Sequence, residues 1–132
     1  MRLLITALLL VHGAAMGQTF ACQYTEAAGL KWESGRWRSA SFINPPPFFL
    51  KIEGDGLTAD SVAKAISGLN DRIRCERNQF TKTFSCFDQH GGFLHFDPQR
   101  SAGAISQMLG ASTERAGYRD SVTVSAFTCQ QM

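Results

Sequence analysis

Apolar and polar positions alternate with a period of two along most of the chain, in short runs broken by Gly, Pro, Asn and Asp. Residues 121–129 (SVTVSAFTC) set Val122 and Val124 on one side and Phe127 and Cys129 on the other. Residues 48–53 (FFLKIE) form a second such run, closed by Gly54-Asp55-Gly56. Residues 30–39 (LKWESGRWRS) predict a hairpin: with Ser34-Gly35 as its turn, Glu33 faces Arg36 and Trp32 faces Trp37. Its second strand extends to Ile43, where Asn44-Pro45-Pro46-Pro47 breaks it, because prolines withhold ladder donors. Residues 72–77 and 80–87 predict a strand pair joined at Asn78-Gln79, with Phe80, Phe84 and Cys86 on one face.

Two stretches carry helix punctuation instead. In residues 58–69, Thr58 stands at the cap, Asp60 lies in the first turn, and Val62, Ala65, Ile66 and Leu69 share a face. In residues 97–110, Asp97 fits the cap, Pro98 the first helical position and Gly110 the exit, with Ile105, Met108 and Leu109 as the apolar edge. Strands follow one another rather than alternating with helices. The predicted fold is therefore mainly β (α+β), a small antiparallel sheet or open barrel of about six to seven strands with two short helices. Ten phenylalanines supply its core.

The first residues change the setting. MRLLITALLLVHGAAMG has one positive charge (Arg2), an apolar run from Leu3 to Val11 and the small-residue exit Ala15-Met16-Gly17. This is the build of a signal peptide over residues 1–17, cleaved before Gln18. The apolar run is shorter than the roughly 20 residues a bilayer span takes, so no stable membrane insertion is expected. Residues 18–132 then form a single domain. A lipid anchor on Cys22 is disfavoured, because Thr19-Phe20-Ala21 lacks the leucine-like and small residues such signals carry. Arginine outnumbers lysine, which suits a GC-rich bacterial genome; the periplasm of a Gram-negative bacterium, or secretion, is the expected location.

All four cysteines lie in the mature part, and an even set in an exported small domain reads as two disulfides. The end segments echo each other: Phe20-Ala21-Cys22-Gln23 and Phe127-Thr128-Cys129-Gln130. Laid side by side they pair Cys22 with Cys129, leaving Cys75 with Cys86 across a hairpin. No C-x-x-C spacing supports a zinc site. Charge adds little, with 13 Lys and Arg against 11 Asp and Glu, one basic residue fewer after loss of Arg2. That balance makes no electrostatic case for nucleic acid or an anionic membrane.

The stretch CFDQHGGFLHFDP holds the densest chemistry. With Gly91-Gly92 as a two-residue loop, Asp88 lies opposite His95 and His90 is on the diagonal, an acid–base pair or part of a two-His, one-carboxylate metal set. Alternation favours a solvent-facing hairpin over that reading. Counted from Cys86, however, Asp88 and His90 share the parity of the disulfide side, so either a bulge intervenes or they point inward. His12 leaves with the leader, so histidine chemistry rests on His90 and His95. No nucleophile elbow, phosphate loop or H-E-x-x-H occurs, which leans against an enzyme and calls for no cofactor. Trp32, Arg36, Trp37 and Arg38 make an aromatic–arginine hairpin of the composition enriched at interfaces.

In size, export and strand content the chain is similar to small periplasmic disulfide-bonded barrels, some of which inhibit lysozymes. The reading that follows is an exported, non-enzymatic binding module, an inhibitor or immunity-type protein of the cell envelope, whose partner is an envelope or extracellular protein or glycan. One alternative is a small metal-binding protein or metal-dependent enzyme using Asp88, His90 and His95. Another is a structural part of an envelope or secretion assembly.

Overall fold

The computed structural model describes residues 17–66, 72–89, 91–108, 114–115, 118–119 and 121–132. Its strands are β1 (Gln18–Glu33), β2 (Arg36–Ser41), β3 (Phe48–Glu53), β4 (Gly56–Leu57), β5 (Arg74–Arg77), β6 (Phe84–Phe87), β7 (Gly92–Asp97), β8 (Ala102–Gln107), β9 (Glu114–Arg115), β10 (Tyr118–Arg119) and β11 (Val122–Gln131). One helix, α1 (Ala59–Ala65), follows β4. Nine strands form one antiparallel sheet in the order β4-β3-β1-β11-β8-β7-β6-β5, with β2 also on β1; β9 and β10 pair separately.

The sheet curls into an open barrel because its inner face is filled by aromatic rings. β1 and β7 stand three strand steps apart, about 14 Å on a flat sheet at about 4.8 Å per step. Yet the rings of Phe20 on β1 and Phe96 on β7 have centroids 5.1 Å apart, edge to face. Phe48 meets Phe127 in the same way at 5.1 Å. Phe20, Phe84, Phe96, Phe127, Leu50 and Leu94 are almost wholly withdrawn from solvent. Each such side chain contributes roughly 1.5–3 kcal/mol of burial. Gly103 on β8 leaves the space for this packing, since a Cβ there would lie 2.3 Å from Phe127 Cζ.

β1 is long because it serves two neighbours on one side. Residues Gln18 to Cys22 pair with β3, and Ala28 to Glu33 pair with β2. Between them the register against β11 shifts, Tyr24 facing Phe127 and Glu26 facing Ala126, so Thr25 is the extra residue of a bulge. The bulge exchanges the faces of β1, so Phe20 and Cys22 before it and Ala27 after it all point inward. The Ser34-Gly35 turn forms as expected, with Glu33 opposite Arg36 and Trp32 opposite Trp37. Both predicted disulfides are present, Cys22–Cys129 and Cys75–Cys86.

The helix over residues 58–69 appears as α1, with Ser61, Val62 and Ala65 buried and Ile66 beneath it; Leu69 lies outside the described residues. Thr58 does not cap it through its side chain. Its hydroxyl donates instead to Ser61 Oγ at 2.9 Å, while Ser61 donates to the Thr58 carbonyl and accepts from Lys51 N. That network satisfies a buried hydroxyl and ties α1 to β3.

The second expected helix is a correction. Asp97 does accept from the backbone N–H groups of Gln99 and Arg100, at 3.0 and 3.2 Å, as a cap would. The same local chemistry starts a turn, and Pro98 suits its second position. Ser101, at φ 51, ends the turn, and residues 102–107 run on as β8 between β7 and β11. A strand there supplies ladder bonds to two neighbours, which outweighs weak helix propensity around Gly103.

Among the described residues the barrel does not close through backbone ladder bonds. β4 and β5 are the two ends of the strand order, and a side-chain ion pair joins their ends of the barrel: Arg77 Nη1 of β5 lies 2.6 Å from Asp55 Oδ1 in the β3–β4 turn.

Candidate functional site

The CFDQHGGFLHFDP stretch folds in another register. Ser85 faces His95, Cys86 faces Leu94 and Phe87 faces Phe93, so the loop spans Asp88 to Gly91 rather than two glycines. Asp88 closes that loop: its N–H donates to the Gly92 carbonyl at 3.0 Å, and its Oδ1 accepts from Gly92 N–H at 2.7 Å. Gly92 faces inward like Leu94 and Phe96, and a Cβ on it would meet Asp88 Oδ2 at 2.6 Å and Ile66 Cγ2 at 2.9 Å. The Asp88 carboxylate thus lies under the sheet, on the disulfide side that the parity of Cys86 indicated.

His95 points the other way, exposed on the outer face with Nδ1 3.2 Å from Ser85 Oγ. The sheet separates Asp88 from His95, and the expected pairing of the two is corrected by the register. His90 lies outside the described residues. Among the described residues no group of three or more His, Cys, Asp or Glu gathers as metal ligands would.

The aromatic–arginine hairpin also divides. Trp32 and Trp37 pack on each other edge to face at 5.3 Å, both half-buried. Strand alternation sends Arg36 and Arg38, both exposed, to the opposite face from Trp37. The indoles and guanidinium groups therefore do not form one mixed platform.

A different element presents itself for binding. β5 and β6 pair Arg77 with Phe84 and Cys75 with Cys86, so the connection is the whole of Asn78 to Thr83 rather than Asn78-Gln79. Phe80, expected in a strand beside Phe84, sits in that turn and is 96% exposed. The turn is built rather than loose. Asn78 Oδ1 accepts from Phe80 N and Thr81 N at 2.9 and 3.0 Å. The backbone closes twice, Asn78 N to the Thr83 carbonyl and Lys82 N to the Asn78 carbonyl, both 2.9 Å. Lys82 takes φ 60, and Thr81 and Thr83 join their hydroxyls at 2.8 Å. Below, the Cys75–Cys86 disulfide closes the base of the hairpin. An apolar ring of this size held fully in water has no role in the core. Asn78 followed by polar residues was the available sequence signal, since Asn side chains bond their own backbone two residues on.

No family model matches the chain, no curated protein matches it, and no solved structure matches it.

Proposed function

We propose that the protein is an exported, non-catalytic binding module of inhibitor or immunity type, which inserts Phe80 into an apolar pocket of an envelope or extracellular protein. The observation that carries this reading is the near-complete exposure of Phe80 on a turn fixed by Asn78 and stapled by Cys75–Cys86. Aromatic anchors dominate binding energy at interfaces, and a turn already held in one conformation loses little entropy on association. Lys82, exposed in the same turn, favours an acidic rim around that pocket.

Two further observations support export. Both disulfides fit an oxidising compartment. The signal peptide over residues 1–17 would be removed before Gln18, the first residue of β1, so cleavage leaves the barrel whole. The periplasm of a Gram-negative bacterium is the location this reading favours.

The test is affinity capture from periplasmic and culture extracts with the wild-type protein, Phe80→Ala and Phe49→Ala. Phe49 is 57% exposed on β3 and serves as a control for exposed phenylalanine in general. Phe80→Ala should lower recovery of the captured protein by about tenfold or more, a hot-spot loss, with Phe49→Ala close to wild type. Equal recovery with Phe80→Ala, or no captured protein at all, overturns the proposal.

A further inference from the structure

The hairpin of β1 and β2 ends in an edge that the sheet does not use. Its two-residue turn makes Glu33 and Arg36 a hydrogen-bonded pair, and such pairs alternate along an antiparallel ladder. Arg36, Arg38 and Ala40 therefore direct their backbone N–H and C=O groups to β1. Phe42 continues the series, its N–H donating to the Ala27 carbonyl at 2.9 Å. Trp37, Ser39 and Ser41 direct theirs the opposite way, where among the described residues no strand pairs with β2. The free edges of β4 and β5 differ, because they lie at the seam that Arg77 and Asp55 span. A row of unpaired backbone donors and acceptors, as on β2, is a template for another strand.

The side chains decide which strand it admits. Lys31 stands opposite Arg38 and Glu33 opposite Arg36, so these four share one face of the hairpin. Glu33 is taken by Lys31, with Nζ 3.2 Å from Oε1, and among the described residues neither arginine meets a carboxylate. On the other face Trp37 packs half-buried on Trp32. A second copy of β2 is a poor occupant, since its sequence RWRSAS contains no acid to meet the arginines. We propose that the free edge of β2 takes an extended acidic segment of a partner protein as an added antiparallel strand. Two carboxylates of that segment stand opposite Arg36 and Arg38, and an apolar side chain between them stands opposite Trp37. Guanidinium and indole groups lie on opposite faces of β2, and an added strand alternates its own side chains between the same two faces, so it reads both. Backbone bonds supply the affinity, and the charges select the partner. The proposal uses none of the residues of the Phe80 turn and does not rest on that reading.

The experiment is an NMR titration of the isolated protein with three acetylated, amidated peptides. They are TVTEVET, its basic counterpart TVTKVKT, and TVTEVET methylated on the nitrogen of the valine between the glutamates. TVTEVET should shift the amide signals of Trp37, Ser39 and Ser41 saturably and slow their exchange with solvent, whereas TVTKVKT leaves them in place. The methylated peptide lacks the N–H that meets the Trp37 carbonyl and should bind about tenfold more weakly. Arg36→Gln combined with Arg38→Gln should weaken TVTEVET by about threefold to tenfold, the loss of two exposed ion pairs. Ser39→Pro removes an outward N–H and no bond to β1, so it should keep the hairpin and weaken the peptide by about tenfold. The methylated peptide keeps the test decisive if either variant perturbs the hairpin. Equal responses to the acidic and basic peptides, no response to TVTEVET, or undiminished binding of the methylated peptide overturns the proposal. Shifts of the same amides with protein concentration alone assign the edge to a second copy and overturn it as well. A negative titration leaves the Phe80 capture result untouched, so the two failures are distinguishable.

Discussion

Cys22–Cys129 and Cys75–Cys86 both join directly opposed residues of antiparallel strands, with Cα atoms 4.0 Å apart in each. Their surroundings differ. The first links β1 and β11 in the middle of the strand order, each with a further neighbour and with Phe20 and Phe127 packed alongside. The second ties β5 to β6 at an edge, where β5 has backbone bonds on one side only. The loops they close span 107 and 11 residues. In the chain-entropy account that difference is worth about 5 against about 3 kcal/mol. One bond geometry thus serves two ends: the first fixes the barrel as a whole, the second fixes a turn.

This division has measurable consequences. Replacing Cys22 and Cys129 by serine should lower the unfolding free energy by about 5 kcal/mol, read from urea denaturation. That is a large share of a small domain's total stability. Replacing Cys75 and Cys86 should cost about 3 kcal/mol globally. In that variant amide exchange should rise most at Asn78 and Lys82, whose N–H groups close the turn. Equal global losses, or exchange that rises evenly over the sheet, would remove the distinction between the two.

A smaller effect sharpens it through pH. Tyr24 packs against Phe48 and Phe127 and donates its hydroxyl to the Ala65 carbonyl at 3.0 Å. Burial raises its pKa from 10.0 to about 12. The unfolded chain therefore loses this proton first as pH rises. The contribution is fully present below pH 10 and declines between 10 and about 12. The urea midpoint should fall over that window in the wild type and fall less in Tyr24→Phe, while the Phe80 turn keeps its exchange protection.

The sequence disclosed those parts of the fold in which local and long-range demands agree. Trp32 and Trp37 flank a two-residue turn, so alternation alone sets their register. Cys22 and Cys129 stand in matching segments, so the covalent bond and the strand pairing point the same way. Residues 97–101 failed the test of agreement. An Asp-Pro start is good chemistry for a helix and for a turn alike, and the vacant place between β7 and β11 decided between them. The glycine pair misled for a related reason. Asp88 bonds Gly92 N and lengthens the loop, which shifts every cross-strand partner and sends His95 away from Asp88. Phe80 was hidden because apolar residues are expected inside; its exposure follows from Asn78 folding the six-residue connection, a contact that no period reveals. Arg77 and Asp55 lie 22 residues apart and meet because the barrel curls, which no local pattern encodes.

The adjacency of β1 and β11 has a consequence for the order of events in the life of the chain. The strand at the start of the barrel is completed by the last strand in the sequence, across 10 paired positions. Emerging from the ribosome in order, Cys22 of β1 waits for a partner 107 residues further along the chain before the sheet can be finished. High contact order of this kind slows folding. Until β11 docks, the side of β1 that it will cover is an unpaired strand edge, open to pairing with another chain, and the slower the folding the longer that exposure lasts.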